Sequence, residues 1–155
     1  ILLTGNHDYY WNSTQKLNEM FNSMYFLKNN FYEFEDYLVC GTRGWLCPGD
    51  TRYTDHDKKI YLREVGRLKL SLESAVNSGK YNDNIILMMH FPPTNDKHDK
   101  SEFIELIEKY NIKRVIYGHL HGKKKYDNSL IGNENNVEYS LVSADYLGFK
   151  PIKIL

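Results

Sequence analysis

Three short clusters contain the side chains in this sequence that are best suited to chemistry. They are Gly5-Asn6-His7-Asp8, His90 with Phe91-Pro92-Pro93, and Gly118-His119-Leu120-His121. Neutral imidazoles bind Zn, Fe, Ni and Mn, while amide and carboxylate oxygens suit harder cations. A site that mixes imidazoles with an amide oxygen therefore fits a borderline divalent metal ion.

Each cluster taken alone has an ordinary structural explanation. His7 beside Asp8 could be a hydrogen-bonded surface pair, His90 could be a core histidine, and a His-x-His pair occurs often by chance. His56 and His98 lie in polar stretches, and we interpret both as solvated. Because the three clusters occur together, each directly after an apolar segment, the sequence favours a metal site over coincidence.

The apolar segments before the clusters are predicted β-strands at residues 1–4, 85–89 and 115–118. Residues 101–110 have the pattern of a helix that joins the second strand to the third. Such a βαβ crossover implies parallel strands, whose ligands bind beyond their carboxyl ends. The clusters are therefore predicted to lie at one edge of a sheet.

The remaining segments predict an alternation of helices and strands. Helices are expected from residue 13 or 14 to 22 and over 58–77, where apolar residues recur at helical spacing. Further strands are expected at 26–27, 31–34, 37–41, 137–143 and 151–154. Residues 42–53, rich in Gly, Arg, Pro and aromatics, are predicted as a long ordered loop of the kind that is often functional.

The order of the clusters, Gly-Asn-His-Asp, then His90, then Gly-His-x-His, resembles the calcineurin-like metallophosphoesterases over nearly the whole chain. The segments Gly41-Thr42-Arg43-Gly44-Trp45 and Asp57-Lys58-Lys59-Ile60-Tyr61 are similar to a bacterial branch of predicted phosphohydrolases. The resemblance implies an α/β fold, a mixed-sheet β-sandwich flanked by helices. It also implies metal-dependent cleavage of phosphoric esters, with a small phosphate ester or a phosphoprotein as substrate.

The resemblance assigns metal ligands residue by residue. Asn6, His90 and His119 match ligands of one ion, and His121 matches a ligand of a second ion. The expected cofactors are two divalent ions of Mn, Fe or Zn. Two ions about 3.5–4 Å apart clamp a phosphoryl group and generate hydroxide near neutral pH.

The resemblance also assigns the catalytic pair. His7 matches the histidine that contacts the phosphate and protonates the leaving oxygen, and Asp8 matches the carboxylate that orients it. Arg43 and Arg52, in the glycine-rich loop, are candidates to bind phosphate bidentately.

Other residues near these clusters have less specific expectations. Residues 9–11 either wall the pocket or serve plain packing, and Arg63 with Arg67 are expected to make surface ion pairs. No role follows from the sequence for Asp145 and Tyr146, although they come after the last long strand.

The chain departs from the family pattern at its start. The family begins with Asp-x-His and Gly-Asp motifs that supply further ligands, and only four residues precede Gly5. Gly49-Asp50 comes too late to be that motif. We therefore expect residues 1–155 to form a single incomplete domain lacking its first strands. Such a domain would be inactive or nearly so, with partial or no metal occupancy, and its exposed sheet edge would favour self-association.

The composition excludes several classes of function. Lys+Arg and Asp+Glu balance at 20 each, which argues against bulk attraction to nucleic acid or an anionic membrane, although Lys123-Lys124-Lys125 is a local basic run. Two cysteines outside any C-x-x-C pair indicate a reduced, cytoplasmic protein. The sequence shows neither a signal peptide nor an apolar run long enough for a bilayer.

Two rival functions stay open at this stage. A β-lactamase-like metallohydrolase requires His-x-His-x-Asp-His, whereas this chain has Gly122-Lys123 after His121. The other rival is a non-catalytic binding or interaction domain that kept the fold and lost its metal ions.

Overall fold

The computed structural model describes residues 1–9, 11, 13–80 and 84–155. The strands are β1 (Leu2–Leu3), β2 (Phe26–Leu27), β3 (Phe31–Phe34), β4 (Tyr37–Thr42), β5 (Ile85–Met89), β6 (Arg114–Tyr117), β7 (Gly132–Glu134) and β8 (Val137–Leu141). The helices are α1 (Thr14–Met20), α2 (Asp55–Asn77), α3 (Glu102–Lys109) and α4 (Lys123–Asp127).

A six-stranded mixed sheet in the order β3-β4-β5-β6-β8-β7 forms the centre of the molecule. Strands β4, β5, β6 and β8 are mutually parallel, while β3 and β7 pair antiparallel at the two edges. The last residues of the parallel strands are in register: Thr42 pairs with Met89, Met89 with Tyr117, and Tyr117 with Leu141. The segments that follow these strands therefore start side by side at one edge of the sheet.

Helices α2 and α3 bury their apolar faces against one side of this sheet. Leu68, Leu72 and Ala75 of α2 are fully buried, and so are Phe103 and Ile107 of α3. This helical spacing places them on one stripe facing the strands. A continuous apolar core results between the helices and the sheet.

Side-chain caps decide where the two helices begin. Thr54 accepts a hydrogen bond from the backbone N–H of Asp57, and the Asp57 carboxylate accepts one from the Thr54 N–H. This capping box starts α2 three residues before the predicted start at residue 58. Ser101 caps α3 through the Ile104 N–H, as the sequence predicted.

A two-stranded parallel sheet, β1 with β2, packs on the other side. Its buried residues are Phe26 and Leu27. Leu27 lies against Gly41 of β4, where a Cβ atom would come within 2.7 Å of Leu27 Cδ2. The predicted fold class, mixed sheets packed face to face with flanking helices, is confirmed.

Several predicted boundaries are wrong. In the described residues after β8 there is no strand at 151–154, and both sides of β8 are already paired, with β6 and with β7. Helix α1 ends at Met20 rather than 22, since Phe21 is extended with φ −128°. The short helix at residues 123–127 and strand β7 were not predicted. Among the described residues, no helix combines the length and apolar character needed to cross a bilayer.

Candidate metal centre

The ends of β4, β5 and β6 position His90. The Arg43 carbonyl accepts hydrogen bonds from the backbone N–H groups of His90 and Phe91, at 3.2 and 2.9 Å. The His90 carbonyl in turn accepts one from the Gly118 N–H at 3.2 Å. The ladder thus continues beyond the strands, so His90 is held from both sides by backbone hydrogen bonds.

Three of the four predicted metal ligands converge at this edge. His90 Nε2 lies 2.8 Å from Asn6 Oδ1 and 3.2 Å from His119 Nδ1. Ligand atoms bound at right angles to one ion, with bonds near 2.1 Å, would lie about 3 Å apart. Both distances from His90 Nε2 therefore fit donor atoms around a single ion.

The loop after β1 brings Asn6 to His90. The Asp8 carboxylate accepts a hydrogen bond from the Gly5 N–H at 2.7 Å, which closes a tight turn around Asn6. A Cβ atom on Gly5 would lie 3.2 Å from His90 Cε1, so glycine permits the close approach of this turn to the imidazole. His7 is exposed beside the turn, with its ring 6.4 Å from that of Tyr9.

His119 adopts a backbone conformation that is unusual for its type. Its φ of +68° lies in the left-handed region, which a non-glycine residue occupies only when its surroundings require it. Its ring stacks on Phe91, with centroids 3.8 Å apart and planes 30° from parallel. The strained backbone and the stacked ring together direct Nδ1 toward His90.

Burial keeps the two converging imidazoles neutral. Desolvation lowers the pKa of His90. Desolvation, together with the nearby His90, also lowers the pKa of His119 to about 4. Metal ions bind the deprotonated imidazole, so both rings are in the form that a metal ion requires at neutral pH.

A family model described as calcineurin-like phosphoesterase matches residues 1–123, which is most of the chain. The chain belongs to the calcineurin-like phosphoesterase family. A search of curated proteins and a search of solved structures each found no match. All three clusters that carry the resemblance lie within the matched residues.

The fourth predicted ligand of this calcineurin-like phosphoesterase, His121, contacts Asp145. His121 Nδ1 is 2.9 Å from Asp145 Oδ1, and the other Asp145 oxygen accepts a hydrogen bond from the Tyr126 hydroxyl. The Tyr126 hydrogen bond and the His121 contact lower the pKa of Asp145 to about 2. His121 is exposed, yet it is close enough to His90 and His119 to lower the pKa of both.

Asp145 had no predicted role. It follows β8, whose carboxyl end is in register with those of β5 and β6, so its position at the site edge is a consequence of the strand order. The parallel pairing of β8 with β6 was not predicted from the sequence. That pairing is the information that would have connected Asp145 with His121.

The two predicted phosphate-binding arginines already have protein partners. Arg43 Nη2 lies 3.0 Å from Glu64 Oε1, and its guanidinium lies 4.7 Å from the centre of the Trp45 ring. Arg52 is exposed and pairs with Asp50 at 3.3 Å. Their binding of phosphate stays a prediction.

Glu64 is the residue of this region that sequence reasoning missed. It has no exposed surface and also binds Arg67 Nη1 at 2.6 Å, so the ion pair expected of Arg67 is made with a buried carboxylate. Arg63 lies more loosely at 3.9 Å from the same carboxylate. The available signal was the position of Glu64, three residues after Tyr61 and four before Leu68 on the buried stripe of α2.

The remaining candidates lie outside the three-donor cluster. Trp11 packs edge-on against Phe26 with ring centroids 5.0 Å apart, which is the plain packing alternative, and Tyr9 is exposed. Tyr10 lies outside the described residues. His56 and His98 are exposed as predicted, with His98 Nε2 3.1 Å from the Asn128 carbonyl.

The candidate centre brings together three potential donor side chains. Over residues 1–9, 11, 13–80 and 84–155, no group of three or more His, Cys, Asp and Glu side chains is arranged to hold a metal. The cluster of Asn6, His90 and His119 contains two such residues and an amide oxygen. Its chemistry fits a borderline divalent ion with further positions open to other ligands.

Proposed function

We propose that this chain is a metal-dependent phosphohydrolase domain in which Asn6, His90 and His119 bind one divalent ion. The convergence of Asn6 Oδ1 and His119 Nδ1 on His90 Nε2, at 2.8 and 3.2 Å, carries this proposal. Mn, Fe and Zn all suit two imidazoles and an amide oxygen. A divalent ion at this position would polarise a phosphoryl oxygen and lower the pKa of a bound water.

The reaction we propose is attack of water on the phosphorus of a phosphate ester. Water releases one proton to solvent as its oxygen forms the new bond to phosphorus, and the bond from phosphorus to the leaving oxygen breaks. His7, exposed beside Asn6, is proposed to give a proton to the leaving oxygen. The Asp8 carboxylate supports this by closing the turn through the Gly5 N–H, which holds His7 next to the donor cluster.

We further propose that His121 is a ligand of a second ion. Metal-binding histidines usually donate their other ring N–H to a carboxylate, and Asp145 occupies that position at Nδ1 of His121. This leaves Nε2 of His121 for a metal ion. Because His121 is the one described residue that we assign to this second ion, the 155-residue chain by itself should hold it weakly and hydrolyse esters slowly.

A reducing compartment fits the two cysteines. Cys40 and Cys47 are both free and buried, and burial raises the pKa of each thiol to about 12. Inert buried thiols need no oxidising environment. We propose a cytoplasmic location on this basis.

Metal titration of the purified chain tests the proposed function. We expect calorimetry with Mn²⁺ to show one ion per chain, binding that is lost in His90→Ala and retained in His56→Ala, whose histidine is exposed and remote from the cluster in sequence. Thermal melts in the presence of chelator verify that both variants fold. Absence of binding to Mn²⁺, Fe²⁺ and Zn²⁺, or binding that survives His90→Ala, would contradict the proposal.

The same titration separates a second candidate function. A non-catalytic interaction domain is favoured by the absence, in the described part of the chain, of a metal-holding group of three His, Cys, Asp or Glu residues. That candidate predicts no ion bound at the cluster. A folded protein that stays metal-free with every ion tried would support it.

A further inference from the structure

A cavity of about 370 Å³ borders His119 on the side of the loop that follows β4. It is enclosed by that loop, by the segment after β5, and by the residues around α4. Cavities of this size accommodate a small organic molecule. His119 belongs to both the donor cluster and the cavity wall, so the cavity adjoins the candidate metal centre.

The inner wall of the cavity is aromatic and rigid. Trp45 and Phe91 have ring centroids 5.0 Å apart and both line the cavity. The Trp45 indole is held by a 2.9 Å hydrogen bond from its Nε1 to Asp57. Phe91 is held by its stacking on His119. Phe91 is 4% exposed and Arg43 lies over the Trp45 ring, so the wall presents mainly the accessible part of Trp45 to an apolar group.

The rim of the cavity carries an excess of positive charge. Arg52 and Asp50 both line it and neutralise each other through their ion pair. Lys124 and Lys125 are exposed, and no hydrogen bond or ion pair joins either ammonium group to the described part of the chain. Asp96 also lines the cavity and offsets the charge of one of these two lysines, so one positive charge remains in excess. The rim therefore favours an anion.

We propose that the cavity binds the alcohol portion of the phosphate ester, and that this portion is an aromatic ring bearing a second anionic group. The ring lies against Trp45, the phosphoryl group lies at the His119 end, and the second anion pairs with Lys124 and Lys125 at the rim. This substrate class rests on the proposed function, because that function places the phosphoryl group at the donor cluster.

Non-hydrolysable phosphonates test the substrate class by equilibrium binding, without any need for turnover. In the presence of Mn²⁺, we expect benzylphosphonate to bind about tenfold more tightly than methylphosphonate, since the ring buries apolar surface. We expect 4-carboxybenzylphosphonate to bind about fivefold more tightly again, as a partly exposed ion pair contributes about 1 kcal/mol. A bisphosphonate of the same ring distinguishes phosphate from carboxylate as the second anion.

Lysine variants locate the second anion. In the double variant Lys124→Gln/Lys125→Gln, the gain from the carboxylate should disappear while the preference for benzyl over methyl remains. Lys113→Gln is the matched control, because Lys113 is an exposed lysine before β6, at the opposite end of that strand. If Lys113→Gln loses the affinity gained from the carboxylate as fully as the double variant does, or if the double variant keeps that gain, the rim does not bind the second anion.

Repeating the titrations with chelator separates this inference from the function on which it rests. If all three monophosphonates bind equally well but only with Mn²⁺, the aromatic substrate class is wrong and the metal centre stands. If the ring and carboxylate preferences persist without dependence on metal, the cavity assignment stands and the metal-dependent function is wrong.

Discussion

Glu64 contacts none of the candidate metal ligands, yet the position of the loop beside them depends on it. Its carboxylate, with no exposed surface, binds Arg43 and Arg67 and accepts a hydrogen bond from the Thr42 hydroxyl at 2.9 Å. Arg43 contributes the carbonyl that positions His90 and Phe91. The buried carboxylate thus links α2 to the loop at the metal centre.

Replacing this carboxylate should destabilise the protein strongly. Glu64→Gln removes the charge that compensates Arg43 and Arg67, and breaking a buried ion pair from one side costs about 3 kcal/mol or more. Glu73→Gln is the control on the same helix, because Glu73 and Lys69 are both substantially exposed and such a pair contributes less than about 1 kcal/mol. Urea denaturation measures the free energy of unfolding of both variants. Similar free energies of unfolding for the two variants would show that the buried network is unimportant.

At the scale of elements, the site depends on strand order more than on any one loop. The periodicity of β5, α3 and β6 predicts a parallel crossover, which places His90 and His119 at one sheet edge. The Asn6 turn joins them because β1 ends on the same side. The proximity of His90 and His119 could therefore be predicted from the strand pattern, whereas the candidate ligand Asn6 follows β1, which belongs to the other sheet and not to the edge that the sequence predicted.

Other features could not be predicted, for identifiable physical reasons. The contact of Asp145 with His121 depends on the parallel pairing of β8 with β6, a long-range arrangement without a local signal. Strand β7 has the residues Gly132, Asn133 and Glu134, which have low strand propensity, and it exists because it pairs with β8. The partners of Glu64 lie on separate segments that only the folded chain brings together.

The packing of the two sheets on each other predicts opposite effects of two glycine substitutions. Gly41→Ala should cost about 2–3 kcal/mol, because the new methyl group would collide with Leu27 of β2 and with the Met88 carbonyl of β5. Gly66→Ala, in α2, has open space and should stabilise the protein by about 0.5–1 kcal/mol. Thermal and urea denaturation give both values. A neutral Gly41→Ala would mean that β2 does not pack closely on β4.

At the scale of the whole molecule, the two layers of the sandwich are unequal. The six-stranded sheet is covered on one side by α2 and α3, whereas the second layer in the described residues is the two-stranded β1–β2 sheet. A two-stranded sheet is marginal unless other elements support it. Large apolar side chains are exposed around it, and we name them the β1–β2 patch: Ile1, Leu2, Met20, Phe21, Met24 and Tyr25.

The β1–β2 patch should cause the chain to associate with itself. Exposed strand edges beside apolar side chains are templates for pairing with another chain. Sedimentation velocity of the purified protein should therefore show dimers or larger species that increase from low to high micromolar concentration.

Leu2→Lys, at a side chain 42% exposed, should shift the population toward monomer, because a buried charge at a paired edge is unfavourable. Leu70→Lys is the control, since Leu70 is 53% exposed on α2, away from the patch. If the wild-type chain is monomeric throughout, or if Leu70→Lys dissociates it as well as Leu2→Lys does, association does not occur through this edge.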